Sequence, residues 1–566
     1  MPTALWRQTI IAVIPLTLAI LLINPLAEVG MNDDWSYVRT AFDLARSGHL
    51  RYNGWAAPII GFQAYWGALF VRLFGYSFTV VRISTEVLTL LFVPVLLRLC
   101  RTAGLHATTA MFATLTLLLS PLLLISLTSF MTDTPAFLLF AGALLAALEA
   151  WQNPDRGTAL RWMLLAAILG ALSGSIRQIY WAAGMWFLFV LAGWRFKSAY
   201  ERSLTWLCLL ATLAFSVFVT QWQRQQPYVP AESLIGAAAL EPWRDWLTRG
   251  FGRLMHFKVT WIVLLLPVSV CFLPGWRTIR RRWIIFIAAV AAGGLAYLLA
   301  DPLPWAGNTL SQFGVLSSHL DVAGEKPLVL SPLALWLIAT ASLTTFAVMA
   351  VLLIRARPAL SKESLHVAVL TLPFLLVYIA AIAIRGPFFG LYDRYAIPVI
   401  MILSLLLLSA CKKLPAVAWI ALGIYALYGV ATGHDSFSAA RARLEATKRL
   451  LAGGVQRTHI LSGFEFDCWT QVEQTGYINS EEIQNPANAY HDYDDCNGPA
   501  YLQYWWRSLT PSVHALYLVT LTPIPHLEPP SVRVTYRTWL PFGTQHVYAQ
   551  PLKEPLTCKP SDQKLN

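Results

Sequence analysis

Charge is what this chain has least of. Only 13% of its 566 residues are Asp, Glu, Lys or Arg, against 57% hydrophobic, which is too little charge to cover the surface of a water-soluble protein of this size. No His, Cys or Asp cluster has the spacing of a zinc site, and no Gly-Lys-Ser/Thr loop is present to cradle a nucleotide phosphate. Solenoid-length repeats and low-complexity tracts are missing too, which argues against a stacked-repeat protein. After the first apolar run there is no small-residue cleavage site, so that run reads as a retained span and not a signal peptide.

Long apolar runs are abundant. Thirteen stretches have the length and composition of membrane-crossing helices, near residues 8–27, 79–97, 108–126, 135–151, 162–176, 179–194, 203–221, 259–275, 283–300, 331–354, 365–384, 395–411 and 414–431. About 20 such residues cross some 30 Å of hydrocarbon. Lys and Arg fall in alternate loops, as in Arg98 with Arg101, Arg195 with Lys197 and Arg202, Arg280 to Arg282, and Lys412 with Lys413, on the same side as Arg7. By the positive-inside rule the N-terminus is cytoplasmic and the C-terminus lies outside, as in a bacterial inner-membrane protein. The formal charge of +12 is then a topology signal and calls for no nucleic-acid partner. Keeping this alternation makes Pro58 to Gly75 an interfacial or re-entrant helix, so residues 28–78 form one long outer loop.

The expected organisation is a mostly α transmembrane domain over residues 1–431 and a small α/β or α+β extracytoplasmic domain over 432–566. In the latter, Ala515 to Thr520 and Ser531 to Tyr536 alternate like strands, and Phe437 to Leu451 reads as a helix stopped at Gly453. Cys468, Cys496 and Cys558 all lie here, in an oxidising place, and the preferred disulfide is Cys468–Cys496. Residues 222–258 and 301–330 form two more outer loops, either lids over a surface site or plain connections.

Chemistry points to the span ends on the outer side. Met31-Asn32-Asp33-Asp34-Trp35-Ser36-Tyr37 follows the first span; its adjacent carboxylates cannot share a helix face, so one is free to work while the other pairs elsewhere. A plainer reading makes Asn32 or Asp33 a cap for a helix ending at Gly48, with Trp35, Val38, Phe42 and Ala45 facing the membrane. Asp133 lies in a short turn before Pro135, where it too suits a cap. Arg177 separates two short apolar runs, and Arg385 and Arg394 flank another outer turn. Guanidinium forks suit phosphate oxygens, though snorkelling to lipid headgroups explains single arginines equally well.

Asp33-Asp34-x-x-Tyr37, Thr132-Asp133-x-Pro135 and Asp393-Arg394-Tyr395-x-x-Pro398 together resemble the membrane glycosyltransferases of the C-type fold, in particular the family-39-like branch of protein mannosyltransferases and the lipid A aminoarabinose transferase. The resemblance covers the helical part, about residues 1–431, and the family more often has Asp-Glu where this chain has Asp33-Asp34. It implies a polyprenyl-phosphate-linked sugar as donor and an envelope glycan, lipid or protein as acceptor. By position, Asp33 would be the catalytic base in an inverting displacement and Asp34 its neighbour. Asp133 and Tyr37 would hold acceptor or sugar, while Arg177, Arg385 and Arg394 would hold the donor phosphate. No cofactor is implied, and a divalent metal is not indicated. A transporter or flippase would instead show mirrored halves and polar groups at the midplane. A ligase or polymerase of lipid-linked oligosaccharides would use a diphosphate leaving group, and a scaffold would need none of these acids.

Overall fold

The computed structural model describes residues 2–231, 243–298, 303–316, 322–356, 361–385, 391–411, 413–494, 496, 502 and 504–560. Eighteen α-helices are found among them. They are α1 (Pro2–Ile23), α2 (Asp34–Ser47), α3 (Gly61–Phe74), α4 (Phe78–Thr102), α5 (Ala107–Leu118), α6 (Pro121–Leu127), α7 (Asp133–Gln152), α8 (Arg156–Ile176) and α9 (Ile179–Val190), followed by α10 (Ala199–Gln225), α11 (Trp243–Leu264), α12 (Leu266–Val270), α13 (Arg281–Leu298), α14 (Pro332–Ala356), α15 (Lys362–Arg385), α16 (Ile397–Ser409), α17 (Ala416–Ala452) and α18 (Phe464–Thr475). Eight are long and apolar enough to cross a membrane, nine if the pair α5 and α6, bent by 65°, is one broken span. The remaining four of the thirteen expected segments are helical as well, but shorter or interrupted: α9, α11 with α12, α13 and α16. Leu210, Phe218, Ile285, Leu333 and Leu376 stand exposed on these helices, as side chains facing lipid do, whereas α7 is the enclosed helix, buried over nearly its whole length. This is a multi-pass membrane protein.

Residues 28–78 hold two short helices. With 14 residues, α3 reaches only about 21 Å and does not span. α2 ends at Gly48 in the left-handed conformation (φ +75°), where a residue without Cβ is unstrained. Its apolar stripe does not face the membrane as expected. The Trp35 ring meets Phe464 edge-on at 5.9 Å and Phe42 meets Trp469 at 5.9 Å, because α18 of the C-terminal part lies over α2 and offers aromatic surface that no local pattern along the chain signals.

The C-terminal part is an α+β unit built on α17, which runs unbroken for 37 residues through the boundary expected at residue 431. Its apolar half carries exposed Ile420, Ile424 and Leu427; its second half buries Ala442, Ala446 and Leu450 against Val519, Val534, Val547 and Ala549 of a sheet. Among the described residues the strands are β1 (Leu310–Ser311), β2 (Gly314–Val315), β3 (Ile460–Leu461), β4 (Tyr493–Asp494), β5 (Ala515–Thr520), β6 (Val532–Trp539), β7 (Phe542–Leu556) and β8 (Lys559–Pro560). The main sheet has the order β3-β5-β7-β6, with β3 and β5 parallel and the other pairs antiparallel.

The disulfide is Cys496–Cys558, not Cys468–Cys496. β4 pairs with β8 through Tyr493↔Pro560 and Asp494↔Lys559, which brings the two Cα atoms to 4.1 Å. Cys468 points from α18 into the core shared with Trp35 and Phe464, a packing position that spacing along the chain does not reveal. Non-reducing proteolysis followed by mass spectrometry is expected to recover one linked peptide pair carrying Cys496 and Cys558; a pair containing Cys468 would overturn this connectivity.

Candidate active site

α1 and α8 end, and α4, α7 and α16 begin, at the end of the helical bundle that carries the α+β unit, so residues far apart in sequence meet there. The chain leaves α1 and turns at Asn32, whose φ of +58° is left-handed, a region Asn enters more readily than most residues. The Asn32 side chain accepts from the Asp33 N–H at 2.9 Å. Gly30 allows the close approach that follows: a Cβ there would lie 2.6 Å from the Trp35 Cβ and 3.0 Å from the Glu465 Cβ.

The two adjacent carboxylates part company. Asp34 is fully buried. Its Oδ1 accepts from the Met31 N–H at 2.6 Å, and its Oδ2 accepts from Arg82 Nε and Nη2, each at 3.1 Å. Arg82, itself inside α4, also donates to the carbonyls of Ala27 and Val29. Asp33 points elsewhere. It stands at the N-terminus of α2 but makes no side-chain capping bond; Oδ1 accepts from Trp55 Nε1 and Oδ2 from Arg394 Nη2, both at 3.0 Å.

Arg394 links Asp33 to a second acid. Its Nε lies 3.8 Å from Asp133 Oδ2, which accepts from Arg177 Nη2 at 3.0 Å. Arg177 Nε donates to Thr132 Oγ1 at 2.9 Å. Asp133 opens α7 while Thr132, in the cap position, makes no side-chain cap bond, so these groups serve the cluster and not the helix end. Arg394 is buried, and its Nη1 makes no hydrogen bond. Burial alone would lower the Arg394 pKa, but Asp33 and Asp133 override it and hold the guanidinium charged; Asp133 does the same for Arg177. Tyr37, one turn beyond Asp33, is buried, and that burial together with Asp33 pushes its phenol up, keeping it a donor. Asp393 faces the other way: its Oδ2 accepts from the N–H groups of Thr309 and Leu310, and burial pushes its carboxyl up to about 6. Residues 303–316 are thereby fixed against the site.

The structure thus brings together Asp33, Asp133, Arg177 and Arg394, with Tyr37 beside them, and sends Asp34 to a separate ion pair. The Arg385 side chain lies outside the described residues. Among the described residues no group of three His, Cys, Asp or Glu side chains is arranged to hold a metal ion. Four residues escaped the sequence reading. Arg82 carried one signal, a charge inside an apolar span. Trp55, Arg443 and Glu465 carried none. Glu465 Oε1 accepts from the Asn32 N–H at 3.2 Å, and its Oε2 accepts from buried Arg443 Nη1 at 2.9 Å, so the α+β unit grips the loop that presents Asp33. Behind it, Asp467 accepts from the Ser462 N–H and Trp506 Nε1; burial pushes its carboxyl up to about 7.

No protein-family model and no curated protein matches the chain. Among solved structures, ArnT from Cupriavidus metallidurans in the apo state is 14% identical over 95% of this chain and 97% of its own, with a TM-score of 0.42. The same protein bound to undecaprenyl phosphate is 14% identical over 80% of this chain and 83% of its own, at 0.36. The S. cerevisiae protein O-mannosyltransferase Pmt1-Pmt2 complex bound to the sugar donor is 15% identical over 38% of this chain, at 0.30, and this chain spans 32% of that one.

Two outcomes are expected of variants. Asp34→Ala strands the buried Arg82 charge and is expected to cost about 3–5 kcal/mol, whereas Asp33→Asn, which keeps the shape and one acceptor oxygen and leaves Arg394 with Asp133 as counter-ion, is expected to cost less; thermal unfolding in detergent compares them. For Asp467 the folded pKa lies above the ordinary carboxylate value, so its contribution is present at low pH and lost as pH rises through about 7. The melting temperature of wild type relative to Asp467→Asn is therefore expected to fall from about pH 5 to about pH 8, and a flat difference would refute the assignment.

Proposed function

We propose that this chain is a membrane glycosyltransferase of the C-type fold, moving a sugar from a polyprenyl-phosphate donor to an acceptor nucleophile at the outer face of a bacterial inner membrane. The observation that carries the reading is the placement of Asp33: a carboxylate at a helix start that caps nothing, and instead pairs with Arg394 beside Asp133 and Arg177 at the membrane end of the bundle. Structural caps have no use for such a cluster.

In the proposed reaction Asp33 takes the proton of the acceptor hydroxyl or amine as that atom attacks the anomeric carbon. The bond from that carbon to the phosphate oxygen breaks, its electron pair stays on the phosphate, and the configuration inverts. A phosphate leaving group is a weak base and needs positive charge, not a proton; Arg394 and Arg177 supply it. Arg394 has an N–H to offer, since its Nη1 makes no hydrogen bond. In this reading Tyr37 and Asp133 bind sugar or acceptor hydroxyls. Asp34 is not the base, because its oxygens are engaged by Arg82 and by the Met31 N–H.

The test is transfer of radiolabelled sugar from polyprenyl phosphate in membranes holding wild type or variants at matched expression. Asp33→Asn is expected to lose about 10²–10⁴-fold in rate, the usual worth of a general base, and Arg394→Gln is expected to lose transfer as well. Equal activity of Asp33→Asn and wild type would remove Asp33 from the mechanism.

A further inference from the structure

Strand β6 descends along the second half of α17 towards the part of that helix that crosses the membrane. At the far end Arg449 Nη1 reaches the Arg533 carbonyl at 3.4 Å. At the near end Asp435 accepts from the N–H groups of Trp539 and Leu540, both at 2.8 Å. The helix from Asp435 to Arg449 is about 21 Å long, and the strand from Arg533 to Trp539 covers about 20 Å, so the hairpin lies along the helix and its turn, Trp539-Leu540-Pro541-Phe542, is the end nearest the bilayer.

The level of that boundary is marked independently. Exposed apolar side chains climb α17 as Ile420, Ile424 and Leu427, and α1 as Ile14, Leu18 and Leu21, with Leu26 just beyond the helix end. The two helices are in register there: a Cβ on Gly433 would lie 3.2 Å from Ile23, and Arg441 donates to the Asn24 carbonyl at 2.5 Å. Asp435 therefore stands at the upper edge of the apolar surface. Phe542 at this turn is 92% exposed, more than any other large hydrophobic side chain among the described residues. The Trp539 ring is stacked on His434 at 4.1 Å and 13°, which fixes an indole at the depth where Trp is enriched in membrane proteins.

We infer that the turn Trp539–Phe542 is a membrane anchor of the α+β unit: Phe542 enters the acyl boundary of the adjacent leaflet and Trp539 sits at headgroup level. Lipid is the occupant because the turn continues the lipid-facing surface of α17 and α1. The exposed Arg537 lies higher on the same strand, where a guanidinium meets lipid phosphates. The inference is independent of the proposed chemistry.

The test uses full-length protein in vesicles of phosphatidylcholine and phosphatidylglycerol, with Phe542→Cys labelled by an environment-sensitive fluorophore in a Cys208→Ser background. Glu554→Cys on the exposed part of β7 serves as the water-facing control. The label at 542 is expected to emit to the blue of the control and to be quenched more by lipids brominated near the headgroup than by deeply brominated ones, as for a group about 5–10 Å below the surface. Emission equal to the control, with no quenching, overturns the anchor. A blue shift that follows protein density in the membrane and is blind to bromination also overturns it, assigning the turn to contact between copies.

Discussion

A single buried guanidinium sets the geometry on which the site depends. Arg82 gives its donors to Asp34 and to the carbonyls of Ala27 and Val29, tying the chain between α1 and α2 to the wall of α4. Taking both charges out of water is costly, and a pair of this kind is kept only where the remaining hydrogen bonds are also made. Here they are, through Arg82 on one oxygen of Asp34 and the Met31 N–H on the other. With Asp34 pinned, the next side chain back along the turn has to leave on another bearing, since successive helical residues are set roughly 100° apart. That bearing is the one towards Arg394. The adjacent acids are thus a single device, in which the first is aimed by the anchoring of the second.

The same loop is held from the opposite side by the α+β unit. Glu465 accepts from the Asn32 backbone and is in turn paired with Arg443 of α17, and the rings of Trp35, Trp55 and Phe464 close the space around them. Because α17 is continuous from its membrane part to Ala452, the unit is not a tethered appendage. Its helix is the last helix of the bundle, and its grip on Asn32 is referenced to the same frame that carries Arg394. A domain of this kind shapes the site by holding the loop that presents Asp33, even where none of its own carboxylates touches the cluster.

Periodicity and composition were enough to read the helices, since a run of apolar residues in lipid has few alternatives to a helix; each of the thirteen expected segments is helical. The strands β5 and β6 and the stops at Gly48 and Gly453 were legible for equally local reasons. What failed was non-local. The Cys496–Cys558 bond follows from the pairing of β4 with β8, and the burial of α2 follows from aromatic surface on α18, contacts between segments hundreds of residues apart or joined by irregular chain. In the site, Asp33, Asp133, Arg177 and Arg394 could be picked out because charge is conspicuous at the ends of apolar spans. Trp55 and Glu465 could not, because an indole in a loop and a carboxylate in a polar domain are unremarkable until the fold puts them beside Asp33.

The charge balance of the cluster bears on the proposed reaction. Asp33 and Asp133 face Arg177 and Arg394, two negative groups against two positive, and the nearest contacts run in a line from Asp33 through Arg394 and Asp133 to Arg177. A donor phosphodiester would add one negative charge. During transfer Asp33 gains the acceptor proton and becomes neutral, while the departing phosphate gains the charge that Asp33 gives up. The total does not change; the negative charge moves from one partner of Arg394 to another. A guanidinium placed between the origin and the destination of that charge stabilises both ends of the step with little reorganisation, which is where fixed charges are most effective in a water-poor site. Lysine would not do the same, because its single ammonium cannot hold a carboxylate and a phosphate on separate N–H groups of one rigid plane.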